Sequence, residues 1–532
     1  MEGQKIDPSD NRGDSHKSAP GVLFLTGMKI TVYGGAGVIG GNKIHVSFGD
    51  RGLFFDFGEP FDVSKKYCTE FIKPRGARGL RDYLRMGMLP ALDCYRPDLY
   101  PGDLSSSDMT PVRTDALFLS HAHFDHYGHV GFLRQDIPIV ASPMTYAILR
   151  AYSETGRANA PTELFDHMVR TEKDGEPRVL ISPRGKVKEV KGRCWVLTGD
   201  VIEDDPEWKK GSVCDIIRGD GKINDIEYRA FPVDHSVYGA TAYAVRYGNE
   251  DWVVYSGDLR MHGARGEMSA AFADAAGKLS PKALIIEGTR IGRVSEEKEI
   301  TEAVVRENCR AAVEEGNGLT IADFSANNFE RLDTFIGIAK DAGKRMVVTH
   351  RDVAFLESIA KVDGNVRKDD LWVYRSLSSE DIESVNGLKD KDWQVADPDD
   401  IAKDPEDYML CFSFWDMTKL LDLDWSGGTY IYSNSEAYDL KQVDNLQKLM
   451  NWIDLFGFKC RGLDMVDGHL EFERGFHSSG HLSLPHLWQI IDTISPEVVI
   501  PVHCSDPEAF ARSCPVETIV PVKGQPISLD RR

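Results

Sequence analysis

Ser120-His121-Ala122-His123-Phe124-Asp125-His126-Tyr127-Gly128-His129 decides how the rest of this chain is read. The apolar run before it, Ala116-Leu117-Phe118-Leu119, is short and bounded by polar residues. That pattern predicts a buried strand, with the histidines on the loop that leaves it. His-x-His-x-Asp-His puts three imidazoles and a carboxylate within six residues, and in an extended segment His121 and His123 point the same way. Imidazole nitrogen with carboxylate oxygen suits zinc, with manganese or iron as alternatives, and two ions suit this density of donors better than one. No cysteine lies nearby to close a structural site. A lone histidine would be an ordinary polar loop residue, but four in nine residues beside a buried strand form a motif.

At 532 residues the chain is long enough for two or three cores. An apolar fraction of 42% with 10% aromatics is that of a soluble globular protein, and no stretch approaches the ~18 apolar residues of a membrane span. The opening MEGQKIDPSDNRGDSHKSAP lacks the apolar core of a signal peptide and reads as a polar, disordered tail, with structure beginning near Met28, itself suited to be a start codon. Nine scattered cysteines without a C-x-x-C pair imply a reducing compartment, by default the cytoplasm. A formal charge of -21 argues against a protein that coats nucleic acid, since that needs clustered Lys and Arg. It does not govern one cleft, where bound dications supply local positive charge.

Lys29-Ile30-Thr31-Val32-Tyr33 predicts the first strand, and Gly35-Ala36-Gly37-Val38-Ile39-Gly40 matches the G-x-G-x-x-G of dinucleotide sites. That fingerprint requires a following helix, whereas Lys43 to Phe48 alternates like a strand and leads through Asp50-Arg51-Gly52 into Leu53-Phe54-Phe55-Asp56. A glycine-rich turn between strands is the better reading. Residues 59–113 form an insertion with a helical patch at Leu80 to Arg85, and Arg75, Arg78, Arg81 and Arg85 are either phosphate contacts or solvated charge. A helix is expected from Tyr127 to Arg134, with His129 outside the ligand set.

Phe231-Pro232-Val233-Asp234-His235-Ser236 precedes a predicted hairpin, Thr241 to Arg246 and Trp252 to Tyr255, which ends in Ser256-Gly257-Asp258. His235 and Asp258 thereby reach one rim. After the buried strand Pro281 to Glu287 and Gly288-Thr289, helices and strands alternate as in a parallel sheet. One helix is expected to bury Ile300, Ala303, Val304 and Ala311, and another Leu332, Phe335, Ile336 and Ala339. Phe414 and Trp415 are expected to pack inside rather than stack on bases. Last come His477-Ser478-Ser479-Gly480-His481 and Val498-Val499-Ile500-Pro501-Val502-His503.

Taken together these motifs resemble the metallo-β-lactamase fold, and among its members the β-CASP nucleases, most closely ribonuclease J. HxHxDH, the glycine-rich entry, Phe324-Ser325-Ala326-Asn327, H-x-S-G-H and I-P-V-H carry the likeness. Phe412-Ser413-Phe414-Trp415 and Cys504-Ser505-Asp506 depart from it. The resemblance implies an α/β fold, an αββα sandwich with an inserted β-CASP domain built on a parallel sheet. Its divisions are a disordered tail at 1–27, the first part of the sandwich at 28–288, the insertion at 289–470 and the return segment at 471–532. The further C-terminal domain of bacterial ribonuclease J is not expected, since 29 residues follow His503 (532 - 503).

The resemblance further implies two divalent ions, zinc or else manganese. His121, His123 and His235 would hold one, Asp125, His126 and His503 the other, with Asp258 bridging and Asp56 orienting ligands from behind. His481, Asp125 and Glu287 are the implied catalytic group, and His477, Ser478 and Ser479 the implied substrate contacts. A histidine at 503, where DNA-processing members carry valine, favours RNA, single-stranded, as the substrate of a 5'-to-3' exonuclease or endonuclease. No membrane partner is expected, and a homodimer stays open. The rival readings are a DNA nuclease of the same group, a hydrolase of a small ester or thioester, and a non-catalytic RNA-binding scaffold.

Overall fold

The computed structural model describes residues 27–156, 159–182, 189–199, 216–218, 221–292, 299–378, 388, 392–436 and 440–529. Apart from Gly27, the expected tail at 1–27 lies outside the described residues.

Two sheets pack face to face. The eight-stranded sheet carries Met28–Gly34, Lys43–Phe48, Arg51–Phe55 and Ala116–Phe118 in its middle and the C-terminal strand Pro526–Leu529 at one edge. The six-stranded sheet contains the predicted hairpin, Thr241–Tyr247 and Val253–Tyr255, followed by Ala283–Glu287 and Val498–Val502 side by side and parallel. Period-two alternation assigns each strand's residues to two different cores. In Ala283–Glu287, Ala283 and Ile285 meet the opposite sheet, while Leu284 and Ile286 meet helices Gly266–Gly277 and Leu484–Ile494. Between the sheets Phe55 lies against Tyr255 at 4.8 Å and Phe118 against Tyr243 at 5.2 Å between ring centroids. Helix Pro143–Thr155 covers the outer face of the larger sheet, placing Tyr146 on Trp195. The order of layers is helix, sheet, sheet, helix. With both faces covered, these strands are apolar runs, as Ala116-Leu117-Phe118 and Ala283-Leu284-Ile285-Ile286 are.

Between Glu287 and Val498 the chain builds a third sheet. Its seven strands run in the order Gln394–Ala396, Leu371–Tyr374, Arg345–Val348, Tyr408–Leu410, Leu319–Asp323, Gly428–Tyr432, Phe458–Arg461, and every pairing is parallel. Helices Glu302–Glu315, Phe329–Asp341 and His350–Asp363 cover one face and Leu440–Leu455 the other. The first of these faces shares one apolar core with helix Pro143–Thr155, where Tyr152 packs on Phe355 at 4.7 Å and the Ser358 hydroxyl donates to the Ala147 carbonyl at 2.7 Å. The inserted layer is thus fused to the sandwich by burial.

Several local expectations are corrected. The helix expected from Tyr127 to Arg134 is a single turn, Phe124–Tyr127, followed by a 3-10 turn at Val130–Phe132. It stops because the His129 amide donates to the Phe57 carbonyl at 2.9 Å, and the buried His129 ring pairs with Glu59. Helix Glu302–Glu315 buries Val305, Cys309, Ala312 and Val313, whereas Val304 is 39% exposed. Ion pairs from Glu302 to Arg260 and Arg331 set that rotation. Trp415 is 74% exposed instead of packed, and Phe414 is half-buried against the outer core of the inserted sheet. Arg75 pairs with Asp82, and Arg78 and Arg81 with Asp103, so these three are spent within the insertion. Eight cysteines among the described residues are free thiols, and no helix among them is long and apolar enough to cross a membrane.

At the end of Leu319–Asp323 the buried Asp323 carboxylate accepts from the Tyr430 hydroxyl at 2.6 Å and from Asn434 at 2.7 Å. Burial nevertheless pushes its pKa up to about 7. The folded protein therefore holds a proton there that the unfolded chain releases near pH 4, and stability should fall as pH rises from about 4 to about 7. Asp323→Asn should flatten that slope, which paired Tm measurements across the interval would read. Parallel curves for the two proteins would remove Asp323 as its source.

Candidate metal centre

The expected donors come from four separate loops and meet at one end of the sandwich. His121 follows the strand Ala116–Phe118, and His123 is the N-cap of the turn carrying Asp125 and His126. His235 follows Ile226–Pro232, Asp258 follows Val253–Tyr255, and His503 follows Val498–Val502 with φ 50. Close backbone approach makes two glycines obligatory around Asp125. A Cβ on Gly58 would stand 1.6 Å from its carbonyl oxygen, and one on Gly40 2.6 Å from its Oδ2.

Two groups of donors form. His123 Nδ1 lies 3.0 Å from His121 Nε2 and 3.1 Å from His235 Nε2. In the second group Asp125 Oδ2 is 3.1 Å from His503 Nε2 and 3.8 Å from His126 Nε2. Asp258 Oδ2 stands between the groups, 3.1 Å from His126 Nε2, 3.5 Å from His503 Nε2 and 3.9 Å from His121 Nε2. Ligand nitrogens on one tetrahedral zinc sit about 3.3 Å apart, given bonds of about 2.0–2.1 Å, so the first group is close to ligating spacing.

Outer hydrogen bonds decide which nitrogen faces inward. Asp56, at φ 53, accepts from His126 Nδ1 at 2.7 Å, from the Tyr255 hydroxyl at 2.6 Å and from the Ser120 hydroxyl and amide, each at 2.8 Å. With its own proton given to Asp56, the Ser120 oxygen accepts from His121 Nδ1 at 2.9 Å. His235 Nδ1 donates to the Gly480 carbonyl at 2.5 Å, and His503 Nδ1 to the Thr289 hydroxyl at 2.8 Å. Each of these four rings therefore turns an Nε2 lone pair to the centre. His126 Nε2 and Asp258 Oδ1 are buried with no hydrogen-bond partner among the described residues. Lone pairs facing lone pairs, with orphaned acceptors among them, fit a divalent cation.

Electrostatics agree. Burial, followed by crowding from neighbouring imidazoles, holds His121 and His235 well below the usual histidine range, and burial takes His123 down to about 4, which keeps these rings neutral as a metal requires. For His126 burial also opposes charge, but Asp258, Asp125 and Asp56 outweigh it and carry its pKa well above the ordinary value. That ring thus reports the excess of negative charge that favours a cation.

His481 and Glu287 adjoin the centre. His481 Nδ1 lies 3.0 Å from Glu287 Oε2 and 3.9 Å from Asp258 Oδ2. Glu287 also accepts from the amides of Leu259 and Thr289. Burial resists protonation of His481, but Glu287 reverses the balance and raises its pKa. The His481 side chain is 23% exposed and that of Asp125 15%, against 0% for His121 and His126, so the centre opens on the side of His481 and Asp125.

Of the expected substrate contacts, Ser479 is nearest in role: its hydroxyl accepts from the His481 amide at 3.2 Å and its carbonyl from His262 at 2.8 Å. Ser478 is buried and its hydroxyl donates to the Ile300 carbonyl at 2.9 Å, so it is spent on structure, contrary to expectation. Burial takes the pKa of His477 down to about 4, with Arg331 beside it adding to the shift. Sequence reading assigned no role to Thr289, Tyr255 or Asn42. Asn42 donates to the Tyr255 hydroxyl at 3.0 Å, and its amide to the Asp125 carbonyl at 3.1 Å. The Asn42 position after the glycine-rich turn was the one available signal.

The fold has a solved counterpart. A protein of unknown function from Enterococcus faecalis V583 superposes with a TM-score of 0.64 at 23% identity, covering 95% of this chain and 100% of its own. A metallo-β-lactamase fold protein, YhfI from Bacillus subtilis, gives a TM-score of 0.23 at 16% identity over 51% of this chain and 74% of its own. No family model matches the chain, and neither does any curated protein.

Proposed function

We propose that this protein is a two-metal hydrolase of the metallo-β-lactamase type, with a β-CASP-like insertion, that cleaves phosphodiester bonds in RNA. The observation that carries the reading is the single oxygen of Asp258 standing between two groups of donors, His121, His123 and His235 on one side and Asp125, His126 and His503 on the other. When bound, two divalent ions, zinc or manganese, supply a hydroxide nucleophile at neutral pH and offset charge on the phosphoryl group.

The chain supplies orientation and a proton. Asp56, Thr289, Ser120 and the Gly480 carbonyl hold the inward nitrogens in place. Glu287 fixes one nitrogen of His481 and favours its protonated form, which suits His481 to donate a proton to the departing oxygen. The inserted layer and a histidine at 503 favour an RNA polymer over a small ester or DNA, as in the resemblance to ribonuclease J. The RNA is single-stranded in this reading, and the work is processing or decay in the cytoplasm.

His481→Ala should keep its metal and lose about 10²–10⁴-fold in turnover, the usual contribution of a positioned acid. Full turnover in that variant would remove His481 from the mechanism. The reading itself is tested with an RNA bearing a 5' monophosphate, labelled separately at its end and internally, beside matched DNA. Mononucleotides indicate a 5' exonuclease and internal fragments an endonuclease. Intact RNA and DNA after incubation with metal-loaded protein would overturn the nuclease reading.

A further inference from the structure

A cavity of about 340 Å³ shares a wall with the metal centre on the side of His235. Its floor is the turn 233–241, and its sides include Pro143, Met144 and Met268. Small-ligand pockets start near ~300 Å³, so it has room for one nucleotide-sized group and little more.

One cation enters this cavity. The Arg265 guanidinium lies 3.7 Å from the centroid of the Tyr238 ring, stacked on it. Tyr238 is fixed from behind, since its hydroxyl donates to Asp333 at 3.1 Å and Asp333 is gripped by Arg367 at 2.6 Å. The platform that holds Arg265 is therefore rigid. The acid in the cavity wall, Asp234, is bound to Arg260 at 3.2 Å and does not neutralise it. Among the described residues Arg265 has no carboxylate partner, in a chain of 84 acidic against 63 basic side chains. A guanidinium held in place, half-buried and, among the described residues, without an anion, in a cavity that shares His235 with the metal centre, is built to receive one from outside.

We propose that this cavity seats the nucleotide adjoining the scissile bond, with Arg265 on its phosphate and the apolar wall against its ribose and base. The assignment rests on the RNA reading above. It names a second contact for the polymer, outside the metal ligands and outside the segment 477–481.

The test is fluorescence anisotropy with the full chain and a short 2'-O-methyl oligonucleotide in which a methylphosphonate replaces each phosphate in turn. Arg265→Gln should weaken binding of the unmodified strand about tenfold and reduce the slope of log affinity against log salt by about 0.7, the value of one single-strand phosphate contact. At one position the methylphosphonate should weaken wild type by that same factor and leave Arg265→Gln unchanged. Arg265→Lys, which keeps the charge but loses the planar fork, should retain the slope while losing part of the affinity. If every methylphosphonate affects wild type and Arg265→Gln equally, the assignment of Arg265 is overturned while the nuclease reading stands. If wild type neither binds nor cuts RNA, the nuclease reading is overturned and this assignment goes with it.

Discussion

Asp258→Ala should empty the centre of stoichiometric metal and lower hydrolysis by about 10⁴-fold or more, roughly 5 kcal/mol of transition-state stabilisation. The size follows from position. Its Oδ2 is within 3.9 Å of His121, His126 and His503, and among the described residues no other carboxylate reaches both groups of donors. Removing it leaves Asp125, 3.8 Å from His126 Nε2, as the one carboxylate among the seven expected donors. Asp258→Asn separates charge from shape, because the amide keeps an oxygen but not the negative charge, and it too should lose metal. Metal analysis of the purified variants, beside their Tm values, checks both statements. Full metal content in Asp258→Ala would mean that the two groups bind independently and that no ligand is shared.

Arg260→Met should be the most destabilising single change in the interior. The fully buried Arg260 meets Asp234 at 3.2 Å, Glu302 at 2.8 Å and Glu330 at 3.0 Å, and Glu302 continues to Arg331 at 2.9 Å. Methionine fills much of the volume but leaves three buried carboxylates, of which Glu302 keeps a guanidinium partner in Arg331. Breaking a buried pair by deleting one partner costs about 3–5 kcal/mol, because the remaining charge stays desolvated. Asp234 already shows the strain: burial pushes its pKa up to about 6 even with Arg260 attached. A Tm lower by several degrees is expected, with the loss larger at pH 8 than at pH 5, where Asp234 takes up a proton. The cluster joins residues next to His235 and Asp258 to two helices of the inserted sheet, so weaker metal retention should accompany the loss. Unchanged Tm and metal content in Arg260→Met would show that the pairs only offset their own desolvation.

Trp415 and Val304 show where sequence patterns stop being informative. Both sit in segments whose apolar residues recur at helical spacing, yet each faces solvent. Periodicity says that a helix has an apolar side, but the neighbouring layer decides which residues point into it, and for Glu302–Glu315 two buried arginines on other elements made that choice. The turn after His126 is shorter than its sequence predicts for a related reason. Its length depends on a hydrogen bond from His129 to Phe57, a residue some seventy positions earlier (129 - 57 = 72).

By itself the sequence determined the chemistry available: short apolar runs that become strands, loops at their ends that carry histidine and aspartate, and an alternating stretch that becomes a parallel sheet. Those are local properties, set by alternation and by the residue types a metal accepts. Only the tertiary structure decided that His235 stands 3.1 Å from His123, that one oxygen of Asp258 lies between two groups, and that Asp56 and Thr289 choose the tautomers. It also decided that, among the described residues, Arg265 is left without an acid while Arg260 has three. Such facts join residues hundreds of positions apart, and burial, which makes a lone pair or a charge costly to leave unmet, exists only once the layers have packed.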